Sequence, residues 1–257
     1  MNRLPSTAAR AAVPLLLLLG GCSGLFHSNT KPEQIYYLRA PGAMGGDGAV
    51  AGGTASATAG NGATAGNGAG AGDTASATGG GAVKASLRVG RPIAAPGLDS
   101  PHIMLVQADH RMNFYTGSRW PAAAPDVLES LTVETLRASG EWSSVEDSAS
   151  PFPSDYLLQV RVRRFEADYG AGSGAPVVQV RLDCILGRRQ GREVLSTFSA
   201  AGSAAAAANR LSEVVAAFEQ ATGAALESLA QQALQAVRSD AQRAAQNGAS
   251  PLPSSAR

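Results

Sequence analysis

The sequence predicts an α+β fold, a single domain whose mainly antiparallel sheet is covered by two amphipathic helices. Three observations carry this reading. Seven segments are rich in β-branched and aromatic residues, and the longer ones alternate apolar and polar positions. Two segments place apolar residues at three-to-four spacing, the period of a helix with one buried face. Between 155 and 201, consecutive strand segments are separated by GAGSGA and GRRQGR, connections short enough to join antiparallel neighbours.

The first segment is no part of that domain. Arg3 and Arg10 precede an apolar run, Ala11 to Leu19, too short for a permanent transmembrane helix. This is the charge-then-apolar order of a signal peptide, expected over 1–21. Leu19-Gly20-Gly21-Cys22 resembles the bacterial lipobox, after which the leader is removed and the cysteine becomes the first residue. The resemblance implies a covalent diacylglycerol and an N-acyl chain on Cys22, and no other cofactor. Two anchoring signals already hold a protein stably on a membrane, so three chains are effectively permanent. Ser23 stands where an Asp would retain a lipoprotein in the inner membrane, which implies the periplasmic face of the outer membrane of a Gram-negative cell. Residues 22–31 are then a tether of about 33–36 Å at full extension.

Residues 32–41 hold a first strand, QIYYLR over 34–39. From 42 to 82 the composition narrows to Gly, Ala, Thr, Ser and Asn, with two Asp and a single Met and Val besides, and TASAT and AGNGA each occur twice. Such a stretch buries too little apolar surface to offset its ordering entropy, and is expected to be a disordered loop. No Lys-Ser/Thr follows its glycines, which excludes a phosphate loop.

The main body is expected over 83–240. Strands are predicted at 84–90, 102–108, 111–116, 155–167, 176–186 and 193–201, the last three as an antiparallel meander. In the first of these three, Tyr156, Leu158, Val160 and Val162 face one way, with Gln159, Arg161 and Arg163 on the other. The first helix opens at Ala124-Pro125-Asp126 and stops at Gly140. The second begins near Asn209 as N-cap and carries Leu211, Val214, Phe218, Leu226, Leu229 and Val237 on one stripe, an apolar core face. A disordered tail is expected over 241–257.

The chemistry legible in the sequence is sparse. The chain has 21 Lys+Arg and 20 Asp+Glu, and without Arg3 and Arg10 the balance is 19 against 20, which excludes an electrostatic nucleic-acid binder. With Cys22 acylated, Cys184 has no disulfide partner, and its place in PVVQVRLDCIL makes it a buried, inert thiol. No metal-ligand cluster, nucleophile elbow or HExxH occurs. Ser118 with His110 and Asp109 is the one conceivable hydrolase set, and the chain is expected not to be an enzyme. Arg161, Arg163 and Arg181, with Arg188, Arg189 and Arg192, lie on or near one sheet face and could meet phospholipid headgroups or an acidic partner, although acids among them favour a self-neutralised face. Tyr115 and Trp120 are further contact candidates, Trp120 as a packing anchor first.

The order of lipobox, Tyr36-Tyr37-Leu38, linker, Leu98-Asp99-Ser100-Pro101-His102-Ile103, Tyr115 with Trp120-Pro121, the DYLLQVRVRRFEAD strand and a terminal amphipathic helix resembles the ABC-type transport auxiliary lipoprotein family, which includes the paraquat-inducible lipoprotein C type. The resemblance implies a non-enzymatic part of a lipid transport system with an inner-membrane ABC ATPase and permease. It implies as partner a periplasmic MCE-domain protein, and is compatible with a homo-oligomer around that partner. The competing readings are an envelope-structural lipoprotein and, less well supported, a lipoprotein hydrolase. The 42–82 stretch is longer than the connection relatives carry after the YYL strand.

Overall fold

The computed structural model describes residues 32–41, 83–170 and 174–248. Cys22, the tether, the 42–82 stretch and the chain beyond 248 lie outside them. Nine strands form one open mixed sheet, with two helices against it: β1 (Gln34–Ile35), β2 (Val83–Val89), β3 (Ile93–Ala94), β4 (His102–Val106), β5 (Met112–Arg119), α1 (Ala124–Ala138), β6 (Trp142–Glu146), β7 (Tyr156–Asp168), β8 (Val177–Arg188), β9 (Glu193–Ala205) and α2 (Leu211–Gly248).

Strand β7 is the spine. One edge pairs antiparallel with β8 along its whole length, and β8 pairs antiparallel with β9, so the expected meander is present. The other edge is shared by three short parallel strands in succession: β2 beside Leu157, β3 beside Arg161 and β4 beside Ala167. From β2 the sheet continues to β6, and from β4 through β5 to β1. The sheet is mainly antiparallel, as expected, but its parallel ladders and the strands β3 and β6 were not anticipated. Strands of two and five residues, the longer reading WSSVE, carry too little periodicity to be recognised.

The alternation along β7 changes phase. Tyr156, Leu158, Val160 and Val162 are buried, and beyond them Phe165 and Ala167 take over. The cause is a β-bulge: Val162 opposes Leu182 and Arg164 opposes Arg181, so Arg163 is the extra residue. The bulge brings Phe165 to the helices, where it meets Trp120 and Phe218 at ring-centroid distances of 5.8 and 5.1 Å, with Trp120 and Phe218 at 5.2 Å. All three rings are essentially fully buried, and the tilted and edge-on geometry is the one ring quadrupoles favour.

Helix α1 runs as predicted. Pro125 and Asp126 stand in its first turn, Arg137 in its last, and Gly140 beyond its end has a φ of 66°. The signature residues ahead of it knot this region together: Trp120 N–H donates to the Pro101 carbonyl at 2.7 Å and Ala124 N–H to that of Ser100 at 3.0 Å. Arg91 reaches Asp126 at 2.5 Å.

Helix α2 covers β8 and β9 on one face of the sheet with a run of small residues, Ala217, Ala221, Ala225 and Ala233, all buried. Facing them on β9 are Ala200, Gly202 and Ala204. A Cβ added to Gly202 would lie 1.9 Å from the Ala221 carbonyl oxygen and 2.9 Å from the Ala225 nitrogen, so helix and strand meet backbone to backbone. The helix continues past Asp240 to Gly248, further than expected, although Ala241 to Gln246 are exposed; helix-favouring Ala, Gln and Arg extend it without burial. The first strand is shorter than expected: Tyr36 N–H still bonds the Arg119 carbonyl at 3.0 Å, but the segment then crosses to α2, with Arg39 3.6 Å from Glu219 and Ala40 buried.

A side chain at 202 must push α2 off the sheet. Gly202→Val is expected to lower the thermal unfolding midpoint by about 5–10 °C, corresponding to about 2–3 kcal/mol of overpacking. Ala201→Val, at an exposed neighbouring position, is expected to leave the midpoint within about 2 °C.

Candidate functional site

The length of β7 separates two ends of the domain. At its Asp168 end lie the β4–β5 turn, the start of the β7–β8 connection and the start of α2. A chain of hydroxyls ties these: Tyr115 and Tyr169 hydroxyls are 2.9 Å apart, and Tyr169 donates to the Asn209 side-chain oxygen at 2.7 Å. Burial, with the Tyr169 bond behind it, pushes the Tyr115 hydroxyl pKa well up, so this phenol stays protonated. Asn209 is thereby engaged in tertiary structure; Arg210 instead presents the carbonyl that accepts from Glu213 and Val214 at the start of α2.

The outer face of the sheet, opposite the helices, bears the arginines. Arg161, Arg163 and Arg181 are brought together along a shallow groove with Ile93, Asp183 and Ile185. Arg163 donates to Asp183 at 2.6 Å, and Ser199 donates to the same carboxylate at 2.8 Å; these two bonds hold the Asp183 pKa below its ordinary value. Arg164 bridges Glu166 at 2.5 Å and Asp168 at 2.8 Å. The face is therefore partly self-neutralised, while the Arg161 side chain makes no hydrogen bond or ion pair among the described residues. Cys184 lies buried on the opposite side of β8, its thiol pushed up to about 12 by burial and, secondarily, by the Asp183 charge, so it is unreactive at neutral pH.

At the Tyr156 end, the last turns of α2 are tied to the sheet by Asp240. Arg188 donates to its two oxygens at 2.6 and 2.7 Å, and the Tyr156 hydroxyl donates at 3.0 Å. Burial of Asp240 opposes ionisation, but the bonds from Arg188 and Tyr156 outweigh it and hold the pKa below the usual carboxylate range. Beyond this pair an open groove continues over Leu157, Ile185 and Val194 with Arg189 and Arg192 at its rim.

Of the sequence candidates, Trp120 is fully buried in the aromatic cluster and has no surface to offer a partner; it is a packing residue. Tyr115 is half-buried and its hydroxyl is taken by Tyr169. Ser118 is not brought to His110. The serine is buried near the far end of β5 from the turn that holds His110 and Asp109, roughly 20 Å away along an extended strand. His102 stacks on Phe114 at 4.4 Å. Among the described residues no three His, Cys, Asp or Glu are grouped to hold a metal ion, and no helix is long and apolar enough to cross a membrane. Of the groove at the Tyr156 end, the sequence points to Arg188, Arg189 and Arg192 but not to its apolar lining, Leu157, Ile185 and Val194, nor to exposed Phe152, whose carbonyl accepts from Arg88 at the groove's edge.

The family model of the ABC-type transport auxiliary lipoprotein component matches residues 69–232. Among solved structures, a Xanthomonas campestris protein described by the family DUF330 is 30% identical, with 62% of this chain and 89% of that one covered and a TM-score of 0.59. A PelC dodecamer from Paraburkholderia phytofirmans is 18% identical over 58% of this chain and 90% of that one, with a TM-score of 0.35. Lipoprotein GNA1162 from Neisseria meningitidis is 16% identical over 62% and 99%, with a TM-score of 0.26. These last two likenesses are too slight to bear on fold or function. No curated protein matches the chain in sequence.

A carboxylate whose pKa is lowered on folding stabilises the fold above its unfolded value, and that stability is lost as pH falls through the folded one. Asp240→Asn is therefore expected to cost about 1–3 kcal/mol at pH 7 by chemical denaturation. The gap to the parent protein should narrow below about pH 4, where the parent carboxylate protonates as well. An unchanged gap in acid would show that the Asp240 charge contributes nothing.

Proposed function

The chain belongs to the ABC-type transport auxiliary lipoprotein family, and from that premise we propose that it is the outer-membrane docking component of an ABC-driven, MCE-type lipid transport system. In this reading Cys22, acylated, fixes the chain to the periplasmic face of the outer membrane, and the folded domain receives a periplasmic MCE-domain protein that arrives from the inner membrane. The protein performs no chemistry of its own. Its energy source is the ATPase across the periplasm, and its task is attachment.

The observation that supports docking is the direction of β1. This strand is parallel to β5, β5 is antiparallel to β4, and β4 is parallel to β7, so β1 runs from the Asp168 end of β7 toward the Tyr156 end. Gln34 pairs with Ser118, beside Arg119, which pairs with His102; that register sets Gln34 near the level of Arg164. The polypeptide upstream of Gln34 thus joins the domain on the side of the Asp168 end. The Tyr156 end stands about 26 Å further along the strands. A tether of about ten residues reaches lipid from the Asp168 end while still coiled, whereas bringing the Tyr156 end there would draw it nearly straight; the proposed arrangement therefore leaves the Tyr156 end facing the periplasm, the direction from which a partner comes.

The test is to solubilise the full-length acylated protein from its native membrane and identify what purifies with it by mass spectrometry. An MCE-domain protein and an ABC permease are expected, with the lipoprotein itself co-sedimenting with outer-membrane markers in a sucrose gradient. An eluate lacking both after mild cross-linking, or sedimentation with purified sacculi, would overturn the reading in favour of an envelope-structural role.

A further inference from the structure

Three features converge at the Tyr156 end of the sheet. The first is exposed apolar surface: Val194, 62% exposed, and Ile185, 42%, line one groove with Leu157, and Phe152, 66% exposed, adjoins it through Arg88, which lines the groove and donates to the Phe152 carbonyl. Large side chains left open in a cluster, rather than scattered singly, mark an interaction surface. The second is uncompensated positive charge. Arg188 is satisfied by Asp240 and Glu193, at 2.6 and 3.3 Å, but the side chains of Arg189 and Arg192 have no carboxylate partner among the described residues. Arg88 donates one terminal nitrogen to the Phe152 carbonyl, while its Nε is buried without an acceptor. The nearby carboxylate of Asp155 is engaged by the Ser86 amide and hydroxyl at 2.8 and 2.7 Å. The third is backbone conformation. The β8–β9 turn places Gly191 at φ 82° and Arg192 at φ 53°, and for a non-glycine residue that region is costly. A glycine would occupy 192 without strain, yet the turn holds an arginine up there.

We infer that this end of the domain, with Phe152 and Val194 as apolar anchors and Arg189 and Arg192 as a basic rim, is the surface on which a protein partner seats an acidic segment that carries apolar residues. The inference rests on the docking reading and names the site of it. Charge complementarity sets the partner's sign: guanidinium forks at the rim match carboxylates, and like charges there are strongly disfavoured. The direction of β1 decides between protein and membrane. An apolar patch ringed by arginine would also suit an anionic lipid surface, but the chain enters the domain about 26 Å away along the strands, beyond the r.m.s. span of about 16–19 Å expected of a tether of about ten residues, so the entry end reaches lipid more readily than this one.

The experiment is in-cell photo-cross-linking of the full-length lipoprotein, with p-benzoylphenylalanine in place of Phe152 or, at the opposite end, of exposed Met112. The expected result is an adduct from position 152 with a protein component of the ABC transport system, identified by mass spectrometry, and none from 112. Arg189→Glu combined with Arg192→Glu is expected to lower the yield from 152 about tenfold. Both arginines are exposed and outside the ion pairs, so circular dichroism of the double variant should match the parent. Adducts with the same component from 112 but not 152 would overturn the surface and leave the docking reading intact. Phospholipid adducts from 152 would overturn it in favour of a membrane contact. Absence of any transporter component from either position, with the purification above also lacking one, would remove the docking reading and the inference together.

Discussion

Helix α2 rests on β9 with no side chain between them at Gly202, and this close approach sets the distance at which the remaining layers pack. Because Ala217, Ala221 and Ala225 face Ala200, Gly202 and Ala204, the helix lies low over the sheet. Phe218 then reaches the Trp120–Phe165 pair, and Asp240, about six helical turns on, reaches Arg188 and Tyr156. A larger residue on either side would lift the helix, open the aromatic cluster and separate the buried carboxylate from its arginine. Dispersion contacts fall off steeply with separation, so even a fraction of an ångström would be felt along the whole interface.

The other long element, β7, turns this packing into polarity. Thirteen residues of extended chain give the domain two ends that differ in chemistry. One is closed by tyrosine hydroxyls and receives the chain through β1; the other presents phenylalanine, valine and arginine. Along the outer face between them, Arg163 and Arg164 are held in ion pairs, while Arg161, Arg181 and the β8–β9 turn residues Arg189 and Arg192 have no carboxylate partner among the described residues. Exposed pairs of this kind contribute little stability, about 0–1 kcal/mol each. Their consequence here is electrostatic: they cancel positive charge along part of the outer face.

Much of this fold is legible in the residues. The meander β7–β8–β9 announces itself by period-two alternation and two short glycine-bearing connections, and α1 by its proline, its first-turn acid and its terminal glycine. The bulge at Arg163 is less visible, since an alternation that breaks phase looks in sequence like ordinary irregularity; only the need to bury both Val162 and Phe165 betrays it. The parallel ladders are hidden for a different reason. β2, β3 and β4 find their partner far along the chain, and no local pattern encodes pairing at that separation. The proposed lipidation site, Cys22, is readable because its signal is local and ordered, from charge through leucines to cysteine. Of the Tyr156-end surface, the GRRQGR arginines Arg189 and Arg192 stand out in sequence, but residues 88, 152 and 194 are unremarkable among their own neighbours, and the surface exists only once β2, β7, β8 and β9 are brought side by side. Trp120 shows the reverse: a residue type favoured at interfaces that the fold withdraws wholly into the core.

The central claim is that the domain stands on the membrane by its Asp168 end and turns its Tyr156 end away. It is tested most directly by reconstituting the full-length acylated protein in phospholipid vesicles, with one fluorophore attached through Met112→Cys or through Val194→Cys, and measuring quenching by a headgroup-bound quencher. Cys184, buried with its thiol pushed up to about 12, does not compete for the label. Strong quenching at 112 and weak quenching at 194 is the predicted result. Equal quenching, or stronger quenching at 194, would contradict the account.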